Sequence, residues 1–211
     1  EAAHLKAYKQ IQEAIRQAGE LQSEIYKGLG VLPAEQLLGL CCPDFRVEVS
    51  GADEHVTETL SPEQLVARLA EKKASEVASR FPEAAVIGSD TVVELDGEIL
   101  GKPHSREEAV SMLRRLSGRE HRVHTAVQIL SPAGSRSLVS TAEVHFAPMT
   151  DREIEWYVST GEPMDKAGAY GIQGYACRYI TGIRGDYYTV MGLPVQMLYR
   201  ALCDLGILGE N

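Results

Sequence analysis

The chain is short of basic residues: 21 Lys and Arg stand against 30 Asp and Glu, for a formal net charge of −9. That balance argues against recognition of duplex nucleic acid through a broad basic face. Cysteine is scarce as well. Cys41, Cys42, Cys177 and Cys203 contain no Cys-x-x-Cys pair, so neither a structural zinc site nor a dithiol redox motif is indicated. Unpaired thiols of this kind point to a reducing compartment, the cytoplasm. No apolar run reaches the length of a membrane span and no signal-peptide pattern is present, so no membrane partner is expected. The Gly-x-Ser-x-Gly elbow, the Walker loop and His-Glu-x-x-His are missing, and His55, His121, His124 and His145 show no metal-ligand spacing. There are no internal repeats and no low-complexity linker.

What is present is enough apolar material, 44% of 211 residues, for a sizeable core. One stretch stands out, Gly161-Glu-Pro-Met-Asp-Lys-Ala-Gly-Ala-Tyr-Gly-Ile-Gln-Gly174. Gly168, Gly171 and Gly174 allow tight turns and a close approach of backbone to a ligand. Asp165 and Lys166 bring opposite charges to the same loop, which suits a cation and a phosphate chain held side by side. A glycine-rich entry into a strand, with both charges merely solvated, explains the stretch equally well by itself.

Around it, helical and strand patterns alternate. Residues 1 to 27 carry Ala7, Ile11, Ala14, Ala18, Leu21 and Ile25 at heptad-like spacing, which predicts an N-terminal helix, packed on its own domain or pairing with another chain. A short helix is expected over 33–40 and a strand over Phe45–Val49. Ser61-Pro-Glu-Gln64, Ser105-Arg-Glu-Glu108 and Thr150-Asp-Arg-Glu153 are capping boxes that open three helices. Residues 84–93 form an apolar strand whose Gly88-Ser-Asp90 segment is expected at the open carboxyl end, where α/β sheets bind ligands. Asp96-Gly97 marks a hairpin turn into Glu98–Leu100. Strands are expected over 121–130, 138–146, 179–181 and 186–190, and a last helix follows Pro194. The class is α/β with a mixed sheet.

Acidic groups at Glu54, Asp90, Glu143, Glu162, Asp165 and Asp186 fall at strand ends or in tight loops. One or two carboxylates plus a substrate phosphate are enough to hold magnesium, and Asp90 is the strongest single candidate. The bland alternative for such an aspartate is the cap of a following turn. Lys73, Lys102, Lys166, Arg119 and Arg184 lie near the same loops, and a polyphosphate needs several of them to converge. Thr91 and Gln173 have the donors and acceptors to read a base edge.

Gly88-Ser-Asp-Thr91, Gly101-Lys-Pro103, Met112–Arg119, Glu162–Gly174, Gly185-Asp-Tyr-Tyr188 and Gly192-Leu-Pro194 resemble, in order and spacing, the Maf family of nucleoside triphosphate pyrophosphatases, and most closely its dTTP/UTP branch. The resemblance runs from about Phe45 to the C-terminus. It implies a single α/β domain over 28–211 with an elongated mixed sheet flanked by helices and a cleft, the helix at 1–27 being an addition with no family counterpart. It implies cleavage of a triphosphate between the α- and β-phosphates, a divalent cation (magnesium or manganese) and, in many members, a homodimer. Asp90 falls on the proton acceptor, and Glu54 with Asp90 on the metal-binding acids. Lys73, Lys102, Asp165 and Lys166 fall on substrate-binding positions, and Thr91 and Gln173 on those that mark the branch. The family's Ser-x-Ser-Pro-Arg-Arg signature is replaced here by Gly28-Leu-Gly-Val-Leu-Pro-Ala-Glu-Gln-Leu-Leu38. Without those arginines, a non-catalytic scaffold that binds nucleotides or assembles through its N-terminal helix is the alternative reading.

Overall fold

The computed structural model describes residues 34–209 apart from Pro43, so the predicted helix over 1–27 lies outside the described residues. The helices are α1 (Ala34–Gly39), α2 (Pro62–Arg80), α3 (Arg106–Leu116), α4 (Asp151–Ser159), α5 (Tyr187–Val190) and α6 (Val195–Asp204). The strands are β1 (Val86–Leu95), β2 (Glu98–Leu100), β3 (Glu120–Ser131), β4 (Gly134–Phe146) and β5 (Ile180–Arg184). They form one sheet in the order β2-β1-β3-β4-β5.

Every pairing between these strands is antiparallel, where a mixed sheet was expected. The reason is connectivity. β1–β2 and β3–β4 are hairpins, and α3 returns the chain to the β1 edge in the opposite direction, so no strand-helix-strand crossover imposes a parallel pair. The Asp96-Gly97 turn has φ of 56° and 83°, the double positive φ that suits a tight hairpin.

Helix α2 begins as its sequence requires. Ser61 accepts from the Gln64 N–H, Gln64 answers the Ser61 N–H, and Pro62 occupies the first turn. Val66 and Ala70 of α2 pack on Val92 and Ala126, one face of β1 and β3. The other face buries Val93, Leu95 and Val123 against α3 and α4, and Val127 and Ile129 against α1 and α6. Gly88 sets how closely α2 approaches: a Cβ there would lie 2.8 Å from both the Ala70 carbonyl oxygen and the Ala74 nitrogen. The bare glycine lets the helix backbone rest almost directly on the strand.

Two predicted strands are not strands. Phe45–Val49 joins no described ladder; Val49 is 85% exposed, and an alternating pattern without a buried face has nothing to pair with. Over 186–190 the chain forms helix α5, because Asp186 caps it by accepting from the Tyr188 N–H. Asp90 is not at a strand end either. It sits in mid-strand, opposite Ala126. β2 pairs only with Val93–Leu95, so among the described residues the edge of β1 from Val86 to Val92 is unpaired on that side.

Candidate active site

A cleft of about 320 Å³ lies along this open edge, lined by Ser89, Asp90, Thr91, Lys102, Asp165, Lys166 and Gly192 among others. Three consecutive strand residues point to alternating faces, so the cleft wraps around the edge of β1. That volume is within the range of small-ligand sites.

On the α2 side, Lys73 Nζ lies 2.5 Å from Asp90 Oδ1 and 3.2 Å from Glu54 Oε1. The close seat of α2 at Gly88 puts Lys73 within reach. Glu54 is brought there by the neighbouring lysine: Lys72 Nζ donates to the Asp53 and His55 carbonyls at 3.1 and 2.6 Å, which pins the loop. Asp90 is 13% exposed and Lys73 25%. Burial pushes the Asp90 carboxyl above the ordinary aspartate range, although the Lys73 hydrogen bond and charge and the Lys102 charge pull the other way. Burial also works against the Lys73 charge, but the bonds and charges of Asp90 and Glu54 outweigh it and hold the lysine above its usual value.

Lys102 follows β2 on the turn to Pro103. The Gly101 carbonyl accepts from the Gly168 N–H at 3.0 Å, which ties this turn to the glycine-rich loop. Gly168 has φ +67°, and a Cβ there would press on Val93. In that loop Lys166 Nζ pairs with Asp165 Oδ1 at 2.6 Å. The loop itself is closed by Glu162. Its Oε1 accepts from the Tyr157 hydroxyl at 2.7 Å, its Oε2 accepts from the Tyr175 N–H at 2.9 Å, and the Tyr157 oxygen accepts from the Gly171 N–H at 3.1 Å. A side chain at Gly174 would collide with this carboxylate. Glu162 is therefore a brace of the loop.

On the opposite face, Thr91 Oγ1 meets Thr125 Oγ1 at 2.8 Å and lines the cleft beside Gly192. Gln173 stands one layer back, where its Nε2 donates to Sδ of the cleft residue Met191 at 3.2 Å. So Asp90, Thr91, Lys102, Asp165 and Lys166 share the cleft, Lys73 and Glu54 join it through Asp90, and Gln173 supports its wall. Ser89, Tyr170, Val190, Met191 and Gly192 also line it, and sequence reasoning did not single them out as site residues.

Other candidates fall elsewhere. Asp186 caps α5, Arg119 forks onto Asp96 at 2.7 Å, and Arg184 pairs with Glu143. Glu143 and His145, two apart on β4, share a face with Glu120 of β3, and their ligand atoms lie within 4.8 Å of one another. Sequence spacing did not reveal this cluster because Glu120 joins by strand register. Arg184 already pairs with its carboxylates.

For a divalent cation, Glu54 and Asp90 are the fitting donors next to the cleft. They are hard carboxylate oxygens that converge on one positive group, the Lys73 ammonium.

Comparison with known proteins bears on the same residues. A family profile described as Maf-like protein matches residues 35–205. A protein of Geobacillus sp. (strain WCH70) is 51% identical over 172 residues, 82% of this chain and 92% of that protein. One from Bacillus velezensis is 49% identical over 173 residues, 82% of this chain and 92% of its own length. One from Symbiobacterium thermophilum is 52% identical over 164 residues, 77% of this chain and 84% of its own length. All three are named dTTP/UTP pyrophosphatase. With a match over most of its length and relatives at about half identity, the chain belongs to the Maf family.

Proposed function

We propose that the chain hydrolyses nucleoside triphosphates of the dTTP and UTP type to a nucleoside monophosphate and pyrophosphate. The observation that carries this reading is the buried Asp90 carboxylate at the edge of a cleft that also contains Lys102 and Lys166. Asp90 takes a proton from the attacking water as its oxygen bonds to the α-phosphorus and the bond to the bridging oxygen of pyrophosphate breaks. A carboxylate whose proton affinity is raised by burial is a stronger base than a solvated one. Lys102 and Lys166 offset the phosphate charge, and Lys73 fixes the Asp90 oxygen that faces it. Glu54 and Asp90 would hold a divalent cation, magnesium or manganese, which when bound neutralises charge on the phosphates. Thr91, with Gln173 behind Met191, contacts the base. The unpaired cysteines and the apolar pattern agree with a reducing compartment, and no described helix is long and apolar enough to cross a membrane.

The cleft lysines answer the loss of the signature arginines, since cations still converge where a triphosphate would lie. No observation favours a non-catalytic scaffold. The test is pyrophosphate release from dTTP, UTP, CTP and ATP with magnesium or manganese. Release from dTTP and UTP ahead of the others is the expected result, and no release from any of them by folded protein would overturn the reading.

A further inference from the structure

The Thr91 end of the cleft has a fixed hydrogen polarity. Thr125 is fully buried, and its Oγ1 lies 2.7 Å from the Thr189 carbonyl oxygen. A carbonyl cannot donate, so the single Thr125 hydroxyl hydrogen is committed to Thr189. Thr91 stands directly opposite Thr125 in the β1–β3 register, with the two hydroxyl oxygens 2.8 Å apart. Because the Thr125 hydrogen is already used, Thr91 is the donor in that contact. Thr91 then has no hydrogen left for the cleft and presents only lone pairs. Ser89, on the same face, has its Oγ 2.9 Å from both the Ala126 and the Gly192 carbonyl oxygens, so its one hydrogen is engaged as well.

Two further features hold this arrangement. Thr189 is locked from below: its hydroxyl donates to Asp186 Oδ2 at 3.2 Å and meets Ser140 Oγ at 2.6 Å. Gly192 keeps the open side of Thr91 clear. It sits at φ +95°, and a Cβ there would come 3.3 Å from Thr91 Oγ1.

We propose that Thr125 is a positioning residue for base selection: by accepting the Thr91 hydrogen it makes Thr91 an obligate acceptor, which takes an N–H from the pyrimidine ring and rejects a ring nitrogen lone pair. Uracil and thymine carry a hydrogen on N3, whereas cytosine carries a lone pair there. A lone pair set against the Thr91 oxygen leaves two acceptors opposed and desolvated, and such a mismatch is what gives polar sites their discrimination. The proposal rests on the pyrophosphatase reading and supplies its basis for choosing UTP over CTP.

The test compares kcat/KM for UTP and CTP in the unaltered protein, in Thr125→Val and in Thr125→Ser. Valine keeps the shape but removes the acceptor, so the Thr91 hydroxyl is free to turn and donate. The Thr189 carbonyl still receives the Gly192 N–H at 3.1 Å, so it is not left bare. The UTP-to-CTP ratio falls by about tenfold or more in Thr125→Val and is retained in Thr125→Ser. If the valine variant does not fold, Thr91→Val removes the acceptor itself and the same fall in ratio is expected. An unchanged ratio in folded Thr125→Val, or equal losses on both substrates, overturns the proposal while pyrophosphate release continues. Equal use of UTP and CTP by the unaltered protein overturns it too. Absence of release by the unaltered protein overturns the pyrophosphatase reading, and this proposal with it.

Discussion

Replacing Asp90 by asparagine separates a catalytic carboxylate from a structural one. The pair it belongs to is largely buried: Asp90 is 13% exposed, Lys73 is 25% exposed, and they are 2.5 Å apart. Were the pair there for stability, breaking it would cost about 3–5 kcal/mol. At about 2–4 °C per kcal/mol for a domain of this size, the melting temperature would drop by at least about 6 °C. The structure predicts otherwise. Burial is the largest influence on Asp90 and raises its proton affinity in the folded state. A group raised in this way contributes stability below its unfolded pKa and loses that contribution as pH rises through the folded value. At neutral pH the ionised Asp90 is therefore a cost, which asparagine does not carry, and Lys73 keeps Glu54 at 3.2 Å. Asp90→Asn should shift the melting temperature by no more than about 3 °C while lowering kcat by about 100-fold or more. In the unaltered enzyme, kcat/KM should fall as the base is protonated, with an acid limb above the ordinary aspartate value of about 3.9. Scanning calorimetry and pyrophosphate release measure both. A drop of about 6 °C or more with turnover preserved would refute the reasoning.

Other perturbations follow from the same geometry. Gly88→Ala forces α2 off β1, because the new Cβ meets helix backbone at 2.8 Å; it should cost about 1–3 kcal/mol in urea unfolding and lower activity by withdrawing Lys73 from Asp90. Tyr157→Phe leaves the Glu162 oxygen and the Gly171 N–H without the hydroxyl between them. It should destabilise by about 1–3 kcal/mol and raise KM for the triphosphate more than it lowers kcat, because the loop carrying Lys166 loses its brace. His121 is buried, with its pKa pulled down to about 4 first by burial and then by the nearby His145 charge. The unfolded chain takes up that proton first, so stability should fall by up to about 3 kcal/mol as pH drops from about 6.5 towards 4. Urea midpoints across that range, compared with His121→Phe, check the sign and the source.

Local chemistry was legible in the sequence because it acts over a few residues. Ser61 and Thr150 form the reciprocal caps their spacing announced. Ser105 caps α3 by accepting from Glu108, while the Glu108 carboxylate turns to the His104 N–H instead. The Asp96-Gly97 turn is equally local. Strand direction was not legible, since it depends on which edge α3 returns to. At 186–190 the β-branched and aromatic residues suggested a strand, but the Asp186 cap decided for helix. The site residues were legible one at a time and their assembly was not. Lys73 comes from α2, Lys102 from the turn after β2 and Lys166 from the glycine-rich loop, joined by contacts such as Gly168 to Gly101 that no spacing encodes. Thr125 gave no signal beyond being a polar residue in an apolar strand; its meaning comes from the direction of two hydrogen bonds.

The most direct measurement is pyrophosphate release from dTTP, UTP, CTP and ATP, with magnesium or manganese, by the unaltered chain and by Asp90→Asn side by side. Release from dTTP and UTP ahead of CTP and ATP, lost in Asp90→Asn, is the predicted result. Release that survives in Asp90→Asn, or none from the folded unaltered chain, would contradict the account.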